Sequence, residues 1–143
     1  MKLFTIGYEG ATVDEVIAAL LKAGVKRLVD IRAVPLSRRP GFSKNVLAAH
    51  LANAGIAYTL LKPLGTPPEG REAARKGNVK RLREIYLGQL ETPEAMAATG
   101  GLLGLAADEP CCLLCWERNP AECHRSILVE QLGTEVKSVD LFA

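Results

Sequence analysis

The chain has no long hydrophobic run, no marked excess of either charge and few aromatic residues. Without an apolar stretch of about 20 residues there is no candidate membrane span. The opening MKLFTIGYEG has one Lys and a short apolar run broken by Gly7, too little for a secretory h-region. These absences predict a cytoplasmic protein with reduced cysteines. Lys plus Arg number 18 against 16 Asp plus Glu, so bulk charge makes no case for nucleic acid or an anionic membrane. Any anion site must come from local clustering. Repeats, linkers and low-complexity tracts are also missing, so residues 1–143 read as one domain. Asn and Gln are scarce beside abundant Arg, Leu and Pro, a composition that points to a thermophilic source.

What is present, 48% hydrophobic and 24% charged residues, suits a soluble globular chain with a single core. KLFTIGYEG reads as a first strand ending in glycine. In TVDEVIAALLKAG the residues Val13, Val16, Ile17, Leu20 and Leu21 form one helical stripe. Thr12 and Glu15 have capping-box spacing, and Gly24 supplies the stop. VKRLVDIRAV reads as a second strand with Asp30 and Arg32 at its C-terminal end, and VPLSRRPGFS as irregular chain. A helix around KNVLAAHLANAG, opened by Ser43, leads to a third strand, IAYTLL. Residues 62–78, with their prolines, glycines and basic side chains, read as a long surface loop with at most one helical turn. Helices follow at Val79–Leu90 and from Pro93 to about Ala107, the second interrupted in its signal by Gly100 and Gly101. PCCLLCW is an apolar run of strand length, NPAECHRSILVEQLG a helix capped at Asn119, and EVKSVDLF a last strand. Alternation of strand and helix predicts an α/β fold, a Rossmann-like three-layer arrangement of a mostly parallel sheet with helices on both faces. Such sheets bind ligands beyond the strands' carboxyl ends.

Polar residues cluster at three of those ends: Gly7–Gly10, Asp30–Arg39 and Cys115–Arg125. All four cysteines, the single Trp and one of two His fall within CCLLCWERNPAECHRSILVE. As a string, Cys112, Cys115, Cys123 and His124 offer zinc-type ligands. Residues three apart on a strand face opposite sides, however, and adjacent Cys123 and His124 are poorly placed to share one ion. No metal or cofactor is therefore assigned. Cys112 to Arg118 has the C-x5-R spacing of cysteine phosphatases, but LLCWE lacks the glycine-rich anion loop that chemistry needs. Cys111 and Cys112 read as small buried hydrophobes. Cys123 stays open between a nucleophile activated by a helix N-terminus and its basic neighbours, and a packed thiol. Glu117 is a candidate general acid or base, and His124 titrates near neutrality when unperturbed, whereas His50 reads as helix surface. Arg32, Arg38, Arg39 and Arg125, with Ser37, are candidates for holding a phosphate or carboxylate, since guanidinium binds such groups bidentately. Tyr8, beside Gly7, is a candidate for stacking on a ring.

TIGYEG, LVDIRAVPLSRRPGFSK, GIAYTLLKPLG and LLCWERNPAECHRSILVE, in this order, resemble the domain-of-unknown-function 488 family over nearly the whole chain. The resemblance implies a compact α/β domain with a parallel sheet and names no activity. Its pattern falls on Thr5, Gly7, Asp30, Arg32, Pro35, Ser37, Arg38, Phe42, Leu64, Gly65, Cys115, Glu117, Cys123, His124 and Arg125. Together these readings lead to an enzyme that binds a phosphate-bearing substrate, a nucleotide or nucleic-acid fragment. Glu117, Cys123, His124 and Asp30 are its catalytic candidates, and Arg32, Ser37, Arg38, Arg125, Tyr8 and Gly7 its binding candidates. Hydrolysis and glycosyl transfer both fit. The alternatives are a non-catalytic module that grips nucleotide or nucleic acid, and a thiol-transfer protein, which requires the sulfurs of Cys115 and Cys123 to meet.

Overall fold

A computed structural model describes all 143 residues. In chain order the elements are β1 (Lys2–Gly7), α1 (Val13–Lys22), β2 (Arg27–Asp30), α2 (Lys44–Asn53), β3 (Ala57–Leu60), α3 (Pro68–Arg75), α4 (Val79–Leu90), α5 (Pro93–Asp108), β4 (Cys111–Cys115), α6 (His124–Gln131) and β5 (Lys137–Leu141). The strands form one five-stranded sheet in the order β3-β2-β4-β1-β5, every neighbouring pair parallel. No helix is long and apolar enough to cross a membrane.

Side-chain alternation along each strand divides the core in two. Phe4, Ile6, Leu28, Cys112 and Leu114 point to one face and meet Val16, Leu20, Leu47 and Leu51 of α1 and α2. Leu3, Val29, Cys111 and Leu113 point to the other and meet Ala73, Leu82, Tyr86, Leu102 and Leu128 of α3 to α6. This distribution follows from the handedness of parallel crossovers. Connections that run towards β3 (β1 to β2, β2 to β3) carry α1 and α2; those that run back (β3 to β4, β4 to β5) carry the other four helices. Chain direction thus decides which face each helix covers.

Local chemistry explains where the elements begin. Thr12 Oγ1 accepts from the Glu15 amide at 3.1 Å while Glu15 Oε1 accepts from the Thr12 amide at 2.9 Å, a complete capping box. Residues 62–78 are not the long loop the prolines suggest: Lys62–Leu64 is a 3-10 turn and Pro68–Arg75 a helix. Pro63 and Pro68 lie in first turns, where a missing amide proton costs nothing, so they start helices rather than forbid them. The stretch from Asn119 is also not one helix. Asn119 caps a 3-10 turn, Pro120–Glu122, and Cys123 then takes an extended conformation (φ −123°, ψ 149°) as the N-cap of α6. Gly100 and Gly101 lie inside an unbroken α5.

Candidate functional site

The chain leaves adjacent strands β1 and β4 in opposite directions, through α1 on one face and through α6 on the other. Their carboxyl ends therefore flank a topological switch point, where a parallel sheet leaves a crevice. A cavity of about 320 Å3 opens there, between Tyr8 after β1, Arg32 after β2, Cys115 to Glu117 after β4, and Thr66, Arg71 and Arg75 at and on α3. Three glycines let the backbone close around it. A Cβ on Gly7 would overlap the Glu117 carbonyl, one on Gly65 the Ala33 backbone, and one on Gly70 the Thr66 side chain.

The floor is a saturated polar network. Fully buried Asp30 grips Arg32 with both oxygens, Oδ1 to Nε at 2.9 Å and Oδ2 to Nη2 at 2.7 Å. Oδ1 also accepts from the Arg32 amide at 3.1 Å and Oδ2 from the Tyr58 hydroxyl at 2.6 Å. Arg32 Nη1 donates to the Phe42 carbonyl at 2.7 Å and to the Tyr8 hydroxyl at 3.3 Å. Burial alone would pull the Arg32 pKa down, but the hydrogen bonds and charge of Asp30, helped by Tyr8, hold it above the ordinary arginine value. Burial likewise pushes the Tyr58 phenol up, and Asp30 adds to the push. The Tyr8 ring is stacked on Phe42, centroids 4.3 Å apart.

Arg125 is the second saturated cation. Its guanidinium donates to Thr5 Oγ1 at 3.2 Å, Cys115 Sγ at 2.9 Å, the Glu117 carbonyl at 2.5 Å and the Arg118 carbonyl at 3.1 Å. Burial lowers its pKa, against the pull of Asp140 and Glu117. It ties β1, β4 and the loop after β4 to α6. Beside it the sulfurs of Cys115 and Cys123 are joined, whereas Cys111 and Cys112 are free and buried. The expectation of four free thiols thus holds only for Cys111 and Cys112. Cys123 Sγ caps α6 by accepting from the Arg125 amide at 3.5 Å. His124 Nε2 donates to the Ile31 carbonyl at 2.8 Å, and its Nδ1 lies 3.6 Å from Cys123 Sγ. Burial pushes the His124 pKa down to about 4, against the upward pull of its bond to Ile31, so the ring is neutral at neutral pH.

The wall opposite is less satisfied. Thr66 Oγ1 has no hydrogen-bond partner although the residue is only 4% exposed. A buried hydroxyl left without a partner costs about 1–3 kcal/mol, which a ligand group would remove. Arg71 is anchored by one bond, Nη1 to the Thr66 carbonyl at 2.9 Å, and neither Arg71 nor Arg75 has an ion-pair partner. Trp116 is 48% exposed at the rim. Burial raises the pKa of the Glu117 carboxyl; its own amide and Arg125 pull it down, while Glu9 and Glu122 push it further up.

Of the residues singled out in the sequence, Tyr8, Arg32, Glu117 and His124 line the cavity. Gly7, Asp30, Cys123 and Arg125 stand directly behind them, through the contacts just given. Ser37 and Arg38 lie elsewhere. Ser37 Oγ accepts from the Arg39 amide at 3.1 Å, its own amide donates to Ser43 Oγ at 3.1 Å, and Arg38 is exposed. Arg39 donates to the Ala11 carbonyl, which pins the same loop to the connection between β1 and α1. Thr66, Arg71 and Arg75 are the cavity residues that the sequence reading missed. The proline-started helix carrying the two arginines was the available signal.

The sequence model of the family described as Domain of unknown function DUF488 matches residues 12–132. No curated protein and no solved structure matches the chain.

Proposed function

The chain belongs to the DUF488 family, whose description assigns no activity, and from the site we propose an enzyme acting on a phosphate-bearing substrate of nucleotide type. The observation that carries this reading is the pairing, across one cavity, of two unpaired arginines with a partly buried carboxyl. Arg71 and Arg75 on α3 hold the phosphate, as guanidinium forks do. Trp116 offers a flat face at the rim on which a base stacks. The unpartnered Thr66 hydroxyl takes a polar group of the substrate, and the volume suits a small ligand rather than a protein segment.

Glu117 performs the proton transfer. A carboxyl held out of water keeps a proton to higher pH than a free one and gives it up to a positioned acceptor, the property required of a general acid or base. In hydrolysis or glycosyl transfer it takes the proton of the attacking water or hydroxyl, or protonates the departing oxygen or nitrogen. Arg32 stays paired with Asp30 and shapes the floor, and Arg125 fixes the Glu117 backbone. The test is incubation with a panel of nucleosides, nucleotides and short oligonucleotides, followed by chromatography and mass analysis. Release of base, sugar phosphate or phosphate by the wild type and its loss in Glu117→Gln supports the reading. An unchanged panel, or full turnover by the variant, contradicts it.

A second reading rests on the exposed basic residues Arg75, Lys76, Lys80 and Arg81, which surround the turn between α3 and α4 beside the cavity. In that reading the cavity receives one nucleotide of a longer strand, without turnover. Affinity would then fall steeply with salt, because each phosphate contact releases counterions. A single small nucleotide gives a shallow slope.

A further inference from the structure

We propose that Cys115, Cys123 and His124, with both thiols reduced, form a binding site for a soft divalent transition metal of the zinc class at the floor of the cavity. Cys115 closes β4, Cys123 caps α6 and His124 is the first residue of that helix. Their donor atoms lie within 4.8 Å of one another. Tetrahedral zinc, with bonds of roughly 2.3 Å to sulfur and 2.0 Å to nitrogen, holds its ligands about 3.5 Å apart. The 3.6 Å between Cys123 Sγ and His124 Nδ1 matches that spacing. Adjacency along the chain, an objection at the level of sequence, is removed by conformation. Cys123 is extended and His124 helical, so the two side chains turn to the same side.

The surroundings are those of a ligand set. A carbonyl oxygen only accepts, so the proton of a neutral His124 sits on Nε2, facing Ile31, and Nδ1 presents a lone pair towards the sulfurs. A metal-bound histidine commonly gives its other N–H to such a carbonyl. Both sulfurs accept N–H bonds from Arg125, one from its amide and one from its guanidinium, which is how thiolate ligands are held from behind. The Cα atoms of Cys115 and Cys123 are 7.4 Å apart, beyond the usual disulfide span of roughly 4.4–6.8 Å. That separation suits two sulfurs sharing an ion better than two sulfurs sharing only a bond. Thiolate and imidazole donors favour zinc and related ions over magnesium or calcium. Cys115 and His124 both line the cavity. A fourth coordination position therefore opens into it, the arrangement of a catalytic rather than a structural zinc site. Binding would release the two thiol protons.

The site does not depend on the phosphate reading, and its test contains no substrate. Full-length protein is reduced with a phosphine under anaerobic conditions, desalted and titrated with cobalt(II), then zinc(II). One equivalent of cobalt is expected to give a sulfur-to-metal charge-transfer band in the near ultraviolet, displaced by zinc and retained in Cys112→Ser. Cys115→Ser and Cys123→Ser should lose it. In the wild type, whose folding is not in question, zinc should slow alkylation of Cys115 and Cys123 at least tenfold and leave Cys111 and Cys112 unchanged. The proposal is overturned by alkylation rates indifferent to zinc, by the absence of a stoichiometric complex, or by a Cys115–Cys123 bridge that persists in the folded protein under reductant. None of these results bears on nucleotide turnover.

Discussion

The floor and the wall of the cavity are built from the same kinds of side chain and put them to opposite use. On the floor, Arg32 and Arg125 are buried and nearly every donor they carry is taken, by Asp30, Tyr8, Phe42, Thr5, Cys115 and two loop carbonyls. On the wall, Arg71 makes one backbone bond, Arg75 is exposed, and Thr66 buries a hydroxyl with no partner. A saturated cation holds a shape and has little left to offer a ligand; an unsaturated one is available for binding. Arginine in a cleft is thus not in itself evidence of an anion site, and the count of free donors decides between the two roles.

The largest effects should come from breaking the floor. Asp30→Ala leaves the Arg32 charge buried without its partner, and Arg125→Met strands the Glu117 and Arg118 carbonyls, while the Thr5 hydroxyl keeps its bond to Asp140. Asp30→Ala should cost about 3–5 kcal/mol in urea denaturation, the range for stripping a buried charge of its partner, and Arg125→Met about 1–3 kcal/mol for each carbonyl left without a donor. Next comes Glu117→Gln, which keeps the shape of the side chain and removes the proton it transfers. Turnover should fall by about 100-fold or more while the denaturation midpoint stays near that of the wild type. Arg71→Ala and Arg75→Ala should each weaken nucleotide binding by roughly tenfold, the worth of one charge-assisted contact, measured by titration calorimetry, with little change in stability. Arg38→Ala is the smallest, within about twofold of wild type in binding and stability, because an exposed loop arginine outside the cavity behaves as an ordinary surface residue. If Arg38→Ala and Arg71→Ala were equally silent, the contrast between wall and surface would collapse.

The sheet was legible because strand and helix signals agreed. The apolar runs at Lys2–Gly7 and Cys111–Cys115, the capping box at Thr12 and the stripe on α1 all point one way. The carboxyl-end rule for parallel sheets puts a crevice beyond β1, β2 and β4, where the cavity lies. Residues 62–78 hide their helix in the sequence because proline signals a break, whereas Pro63 and Pro68 occupy first-turn positions. With α3 missed, so were Arg71 and Arg75. Asn119-Pro120 has the pattern of a helix start that would put Cys123 inside the helix; that cap instead opens a 3-10 turn, which sets Cys123 at the N-cap with its sulfur on Cys115. Which arginines are saturated cannot be read from one dimension, since Arg125 finds its partners through contacts up to 120 residues away.

Trp116 is the chain's only tryptophan and lies at the cavity rim, so its fluorescence reports on this site alone. The most direct measurement follows that signal during titration with nucleoside monophosphates and inorganic phosphate, in the wild type and in an Arg71→Ala/Arg75→Ala double variant. A saturable change with a nucleotide, shallow in salt and abolished in the double variant, is the predicted result. No response to any of these ligands, or an equal response from the double variant, would contradict the assignment of this cavity to a phosphate-bearing substrate.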